Sequence, residues 1–367
     1  MINHQFWMSK ALQLARQGIY TTHPNPRVGC IIVKNNQLIG QGWHQRAGEP
    51  HAEVYALRQA GERAKGATLY VTLEPCSHYG RTPPCAAALI KAQLAHVVVA
   101  TQDPNPLVAG KGLTLLTNAG IKVTCGILAA EAIALNRGFI KRMQHGLPYV
   151  SIKLAMSLDG RTAMANGESQ WITGQAARSE VQRIRAQSSA IMTGADTVLY
   201  DNAKLTVRAS ELGLDEAATE LALQRVPLRV LLDTKARVGL DKAFYQTGQS
   251  LTFSNQPAPA GLALDQEWLT LPTEQGHLNL RQVLTCLAQD YQVNELLVEA
   301  GARLAGALTV AKLVDEYLIF MAAKWMGSAA RPLLQLPLTT MNEAIALAIS
   351  DIRAIGADWL ITAHSQC

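Results

Sequence analysis

His51-Ala52-Glu53, read together with Pro75-Cys76-Ser77-His78-Tyr79-Gly80-Arg81-Thr82-Pro83-Pro84-Cys85, decides how the first part of the chain is organised. One imidazole and two thiolates fill three corners of a zinc tetrahedron and leave the fourth for water. That is the layout of a catalytic rather than a structural zinc site. His51, Cys76 and Cys85 are the candidate ligands, and Glu53 is the natural proton carrier for the water. Any one of these residues alone is ordinary packing; the set, with Pro75, is not. A closed structural site would need a fourth protein ligand, and His78 is the spare residue nearby.

The flanking sequence places this motif on an alternating pattern. Phe6, Met8, Ala11, Leu12, Leu14 and Ala15 form a helical apolar stripe that stops at Gly18. Val28–Val33 and Gln37–Gly42 read as a hairpin across Asn35-Asn36. A helix is expected from about His51 to Ala60, a strand over Thr68–Leu73 and a helix from Cys85. A strand over His96–Ala100, a helix over 112–119, a strand over Lys122–Cys125 and a helix over 128–138 follow. Strands alternating with helices predict an α/β/α layered domain. Positions i and i+2 of a regular helix point about 200° apart. Glu53 can therefore face the metal only if His51 sits at the very start of its helix, as the preceding Pro50 allows.

Over 367 residues, 49% are apolar and 17% charged, a globular composition long enough for two domains. The formal charge of +5 is mild and no Lys/Arg run occurs, which suits anionic small molecules and argues against nucleic acid. The N-terminus has no signal-peptide character, and no apolar run suggests a membrane span. Six scattered cysteines do not form a disulfide framework, so a cytoplasmic protein is expected. A boundary falls near Met143–Pro148, dividing residues 1–145 from 146–367.

The second part is less explicit. Strands are expected at Tyr149–Ala155, Ala190–Thr193, Leu228–Leu232, Leu296–Glu299, Glu316–Met321 and Trp359–Ala363, with helices at Gln175–Ala186 and 301–312. The polar run from about Ala209 to Gln224 reads as a surface excursion. No GxGxxG or Walker loop is present. The best physical signal is Val298–Gly306, a strand passing through a glycine turn into a helix whose first N–H groups could hold a phosphate. A glycine needed only for a tight turn explains it equally well.

The first motif resembles the zinc deaminase signature H-x-E…P-C-x-x-C, in which the glutamate shuttles protons. Here eight residues separate the cysteines instead of two. The run Thr72–Cys85 and the preceding His23-Pro24-Asn25-Pro26-Arg27-Val28-Gly29 resemble the deaminase half of the bifunctional riboflavin-biosynthesis deaminase–reductases. Lys153–Gly160, Gly167–Thr173, Thr193–Asn202, Leu205–Arg208 and Val298–Gly306 resemble their reductase half. The resemblance implies a cytidine deaminase-like three-layer α/β/α domain followed by a dihydrofolate reductase-like α/β domain, with Zn2+ and NADPH as cofactors. It implies deamination of a phosphorylated pyrimidine followed by reduction of its ribosyl group. Asn25, His44, His78, Arg81 and Asn105 would contact the deaminase substrate. Ala155, Trp171, Thr197, Asp201, Thr234, Gly301, Ala302, Arg303, Leu304, Ala305, Gly306 and Ala307 would face the cofactor. Lys153, Ser169, Arg185, Leu205, Arg208 and Glu299 would face the reductase substrate, the two arginines pairing its phosphate. A homodimer or larger homo-oligomer is implied, with no nucleic-acid or membrane partner. A nucleic-acid base deaminase with an accessory domain would want a short C-x-x-C and aromatics for stacking, yet aromatics are only 5%. A non-catalytic zinc module would have no use for Glu53.

Overall fold

In the computed structural model, which describes residues 3–77, 84–106 and 108–366, the chain divides into two units, up to Gly146 and from Leu147. The first is built on five strands: β1 (Gly29–Lys34), β2 (Gln37–Trp43), β3 (Thr68–Val71), β4 (His96–Val99) and β5 (Lys122–Cys125). Their order is β2-β1-β3-β4-β5. β1 runs antiparallel to both neighbours, and β3, β4 and β5 are parallel. Six helices surround them: α1 (His4–Arg16), α2 (Ala52–Ala60), α3 (Cys85–Lys91), α4 (Lys111–Asn118), α5 (Ala129–Leu135) and α6 (Arg137–His145).

The layering follows from the two-residue period of a strand, which sends successive side chains to opposite faces. Cys30, Ile32, Leu69, Val71, Val97 and Val99 pack with Ala52, Ala56, Ala86, Leu89 and Leu116 of α2, α3 and α4. Their neighbours Ile31, Val33, Tyr70 and Val98 pack with Met8, Ala11, Leu12 and Ala132 of α1 and α5. Helix α1 starts where the Asn3 side chain accepts the Phe6 N–H at 3.0 Å, and it buries Met8, Ala11, Leu12 and Ala15 at helical spacing. The single helix expected over 128–138 is two. Asn136 separates them, because its side chain is tied to Arg27, accepting the N–H at 2.7 Å and donating to the carbonyl at 2.9 Å.

The second unit holds a nine-stranded sheet. Its strands are β6 (Tyr149–Ser157), β7 (Ala190–Gly194), β8 (Leu228–Leu232), β9 (Ser250–Ser254), β10 (Gln266–Thr270), β11 (Glu295–Glu299), β12 (Glu316–Ala322), β13 (Leu347–Ile355) and β14 (Asp358–Ser365). The order is β10-β9-β8-β7-β11-β6-β12-β14-β13. The run from β10 to β12 is parallel, and β14 and β13 close the far side as an antiparallel pair. Helices α7 (Gln175–Gln187), α8 (Ala195–Asp201), α9 (Glu216–Leu223), α10 (Leu280–Gln289) and α11 (Ala302–Val310) cover it. One core joins Val150, Ile152, Met192, Val230, Val298 and Leu308; the opposite one joins Ile191, Leu231, Leu297, Phe320 and Val198. The surface excursion at 209–224 contains α9. Three strands, β9, β10 and β13, have no counterpart in the sequence reading. No helix among the described residues is long and apolar enough to cross a membrane.

Helix α2 lies directly on β2 because two glycines remove the side chains between them. A Cβ on Gly40 would fall 2.3 Å from the Ala56 carbonyl oxygen, and one on Gly42 would fall 2.6 Å from that of Ala52. Since α2 carries the residues that follow His51, its seat on β2 positions the site. Gly42→Ala is expected to cost about 1–3 kcal/mol by overpacking and to lower zinc content. Chemical denaturation and metal analysis of the purified variant check both.

Candidate active sites

His51 is the N-cap of α2, with extended backbone angles of φ −73° and ψ 163°. This non-helical step lets His51 and Glu53 turn toward one point. Cys76 follows the C-terminal end of β3, and Cys85 is the first residue of α3. His51 Nδ1 lies 3.2 Å from Cys85 Sγ and 3.6 Å from Cys76 Sγ. The three ligand atoms lie within 4.8 Å of one another. The Cys85 N–H donates to Cys76 Sγ at 3.2 Å. Hydrogen bonding from the Cys85 thiol, with help from His51 and against the effect of burial, holds the Cys76 thiol down at about 4, while Cys85 as the donor is pushed up. Soft sulfur and imidazole donors at this spacing, three in number, fit zinc with an open position.

Glu53 is buried, and loss of solvation raises its carboxyl above the usual range, partly offset by His51. A carboxyl with a raised proton affinity beside the ligands is suited to accept and return a proton near neutral pH. His44 stands next to the cluster, its ring 5.6 Å from that of His51. Its Nδ1 faces the Pro50 carbonyl at 3.1 Å, and its Nε2 meets Asn25 Nδ2 at 3.0 Å. A carbonyl can only accept, so Nδ1 carries the proton and Nε2 accepts from the Asn25 amide. Burial lowers the His44 pKa, which favours this neutral tautomer. Asn25 and His44 are thus brought to the site. His78 and Arg81 lie outside the described residues.

Asn105 sits in a loop organised by a residue the sequence reading passed over. Glu74 precedes Pro75-Cys76, and its buried carboxylate accepts four backbone N–H groups, from Asp103, Gly110, Gly112 and Leu113, at 2.9 to 3.3 Å. The Asn105 N–H donates to Asp103 Oδ1 at 2.8 Å. Glu74 therefore ties the Asn105 loop to the strand that presents Cys76. The available signal was a charged residue at the end of an apolar strand.

In the second unit, charged residues gather at the C-terminal ends of the parallel strands, where open α/β sheets bind ligands. Lys153 on β6 and Glu299 on β11 are cross-strand partners. Arg185 of α7 grips Glu299 through two nitrogens, at 2.5 and 2.9 Å, and a third nitrogen donates to the Thr206 carbonyl at 2.9 Å. Burial alone would raise Glu299, but Arg185 and Lys153 hold its carboxyl below the usual range. Burial pushes the Lys153 ammonium down, with Glu299 and Asp201 pulling back and Arg185 adding to the fall. Burial likewise raises Asp201, which accepts the Ser169 hydroxyl at 3.3 Å.

The remaining residues separate. Ala155 follows Lys153 on β6, and Thr197 lies on α8. Trp171 is 63% exposed beneath the Arg178 guanidinium, 4.7 Å away. Arg208 is exposed and paired with Glu211 at 2.6 Å. Leu205 is buried in the core with Val198 and Leu231. Gly301 caps α11, and Ala302 begins it. Arg303, Leu304 and Ala307 line a cavity of about 640 Å³ with Thr234 across from them. Ala305 is fully buried, and a Cβ on Gly306 would fall 2.1 Å from the Gln335 carbonyl oxygen.

With this geometry in view, the first 101 residues match the cytidine and deoxycytidylate deaminase zinc-binding region, and residues 148–361 match the RibD C-terminal domain. The chain belongs to the RibD family of riboflavin-biosynthesis proteins. It is 51% identical over 359 residues to riboflavin biosynthesis protein RibD of Escherichia coli K12, covering 96% of this chain and 97% of that one. The Haemophilus influenzae RibD is 49% identical over 361 residues, covering 97% and 96%. Among solved structures, Acinetobacter baumannii RibD superposes with a TM-score of 0.92 at 46% identity, covering 99% of both chains. A Thermotoga maritima protein described as a diaminohydroxyphosphoribosylaminopyrimidine deaminase/5-amino-6-(5-phosphoribosylamino)uracil reductase superposes at 0.86 with 30% identity, also over 99% of both. The fold is that of the family: a cytidine deaminase-like unit followed by a dihydrofolate reductase-like unit. The chain is a bifunctional deaminase and reductase of riboflavin biosynthesis using zinc and NADPH.

Removing one partner of the buried Arg185–Glu299 pair leaves an unpaired charge. Arg185→Met is expected to destabilise the second unit by about 3–5 kcal/mol. Adding Glu299→Gln should return part of that loss, as thermal unfolding of the single and double variants would reveal.

Proposed function

We propose that the two units act in series on one phosphorylated pyrimidine. The first converts 2,5-diamino-6-ribosylamino-4(3H)-pyrimidinone 5′-phosphate to its deaminated product. The second reduces the ribosyl group of that product to give 5-amino-6-ribitylamino-uracil 5′-phosphate. The observation that carries this reading is the convergence of His51, Cys76 and Cys85 with the buried carboxyl of Glu53.

Zinc held by those three residues supplies a Lewis acid that makes water a nucleophile at neutral pH. The Glu53 carboxylate takes a proton from the attacking water and passes it to the departing amine, so that ammonia leaves. Asn25, oriented by the neutral His44 ring beside it, holds the pyrimidine by hydrogen bonds, with His78, Arg81 and Asn105 contributing to its phosphate and ring. The site needs Cys76 and Cys85 as free thiols, which suits a reducing, cytoplasmic setting.

NADPH supplies the hydride for the second step, and the protein's task is to orient the ribosyl carbon and exclude water. Lys153 donates to the ribosyl oxygen. Burial lowers its proton affinity, while Glu299 and Asp201 oppose that fall. Arg185 is committed to Glu299, so its part is to fix the Glu299 carboxylate against the sugar, and Arg208 is the arginine better placed to exchange Glu211 for a phosphate.

The assembly is proposed to be a homodimer or larger. Its support is β13, which ends the nine-stranded order and leaves Ile349 and Ile352 more than half exposed. An exposed apolar edge strand is a template for pairing with another chain.

Glu53→Gln is expected to retain zinc and lose deamination by at least about a hundredfold, with reduction of the pre-deaminated substrate unchanged; full ammonia release from the variant would remove Glu53 from the mechanism. Light scattering should find more than one copy per particle, and Ile349→Lys with Ile352→Lys should yield monomers.

A further inference from the structure

We propose that Gln182 is a positioning residue of the reductase: its buried amide fixes the backbone of Arg208 and so aims that guanidinium at the substrate phosphate. The inference rests on the reading that Arg208 takes the phosphate in the second step. Gln182 belongs to none of the motifs that carried the resemblance.

Residues 202–208 have no regular secondary structure, and a single 3-10 turn, Ala209–Glu211, follows them. Within this loop Leu205 is buried at φ 55°, in the left-handed region that a side chain of its size avoids. A conformation of that kind persists only where its surroundings hold it. Long polar side chains do so at four backbone atoms. Arg229 Nη1 donates to the Lys204 carbonyl at 3.2 Å, Arg185 Nη1 to that of Thr206 at 2.9 Å and Arg183 Nη1 to that of Leu212 at 2.7 Å. The fourth is Gln182, whose Oε1 accepts the Arg208 N–H at 2.9 Å. Of the four it is the one that acts on Arg208 itself, and the one without a charge.

Gln182 is 1% exposed in the middle of α7. It comes four residues after Arg178 and three before Arg185, so the three share one face of the helix. On that face Arg178 stacks 4.7 Å from the Trp171 ring, and Arg185 grips Glu299. The choice of an amide between them follows from charge. A carboxylate would accept the Arg208 N–H equally well, but it would bring a buried negative charge to the arginines that face a phosphate. The Arg208 side chain has its own carboxylate partner, Glu211, at 2.6 Å, and both are well exposed. An exposed pair of this kind is weak, so a phosphate can displace it. What the exchange needs is a fixed starting point for the guanidinium, and a neutral acceptor at the backbone supplies one without adding charge. With the backbone held, less freedom is lost when the phosphate binds.

The test is steady-state reduction by the full chain of the deaminated ribosylamino-pyrimidine phosphate and of the same compound without its phosphate. Arg208→Gln checks the underlying reading: it should raise KM for the phosphorylated compound, and if KM does not move, Arg208 is no phosphate ligand and the reading itself fails. Gln182→Met, similar in length and without the acceptor, should raise that KM by roughly five- to fiftyfold, with kcat unchanged and kcat/KM for the dephosphorylated compound unchanged. Placed on Arg208→Gln, the same change should add nothing, because no cation is left to position. A merely structural Gln182 would add its loss in both backgrounds and with both compounds. Gln182→Asn draws the acceptor back by one methylene; it should act in the same direction and serves if the methionine variant does not fold. Gln182→Glu should fall between parent and methionine variant, since it keeps the bond and adds the charge. The inference is overturned if Arg208→Gln raises KM while Gln182→Met and Gln182→Asn leave it at the parent value, or if they impair both compounds alike.

Discussion

The deaminase site depends on one backbone constraint: His51 must stand outside helical geometry while Glu53 stands inside it. In a continuous helix the two side chains would point to nearly opposite sides. With His51 as an extended N-cap, its imidazole reaches the two sulfurs while Glu53 buries its carboxyl beside them. Pro50 supplies the interruption, and the glycines of β2 supply the seat that lets α2 approach. Cys85 repeats the device by opening α3 where a proline precedes it. Both helix starts also bring partial positive charge to residues that must act as anions or metal ligands.

The two units solve a similar placement problem with different chemistry. In each, functional residues gather on and around the central strands of the sheet. In the first, soft donors converge within ligand distance of a single point, and the neighbouring polar groups are neutral or hydrogen-bonded. In the second, the groups are hard charges: Lys153 and Glu299 as cross-strand partners, Arg185 from the last turn of α7, and Asp201 at the end of α8 with Ser169. Burial lowers Lys153 and raises Asp201, while Arg185 keeps Glu299 ionised. Such a network is costly to bury unless every member is answered, which explains why Arg185 spends three nitrogens on protein partners.

Much of the first unit was legible because its strands are short, apolar and bounded by turn residues. The ligand set was legible because its residue types are rare and its spacing restrictive. The second unit was harder to read. Ser250–Ser254 alternates hydroxyl residues with Leu251 and Phe253, yet all five are buried, the hydroxyls included. Periodicity alone would have assigned one wet face. Leu347–Ile355 is an exposed strand carrying Asp351 and Arg353, and its pairing partner lies after it in sequence. Arg185, a phosphate partner by resemblance, meets Glu299 in the fold, a contact that its local sequence does not announce. Leu205, offered as a substrate contact, is buried with Val198 and Leu231.

By itself the sequence offered a His/Cys/Cys set that the fold brings within ligand distance, a glutamate that it buries beside that set, a two-part chain and, through long motif resemblance, the pair of reactions. These rest on local chemistry: which atoms can ligate zinc, and where a helix can start. The tertiary structure alone decided which charges answer one another. Glu74 reaches a loop some thirty residues away, Arg185 meets Glu299 across 114 residues, and Asp196 stands between Arg237 and Arg303. An ionic or hydrogen-bonded partnership depends on distance in space, and no local pattern records it.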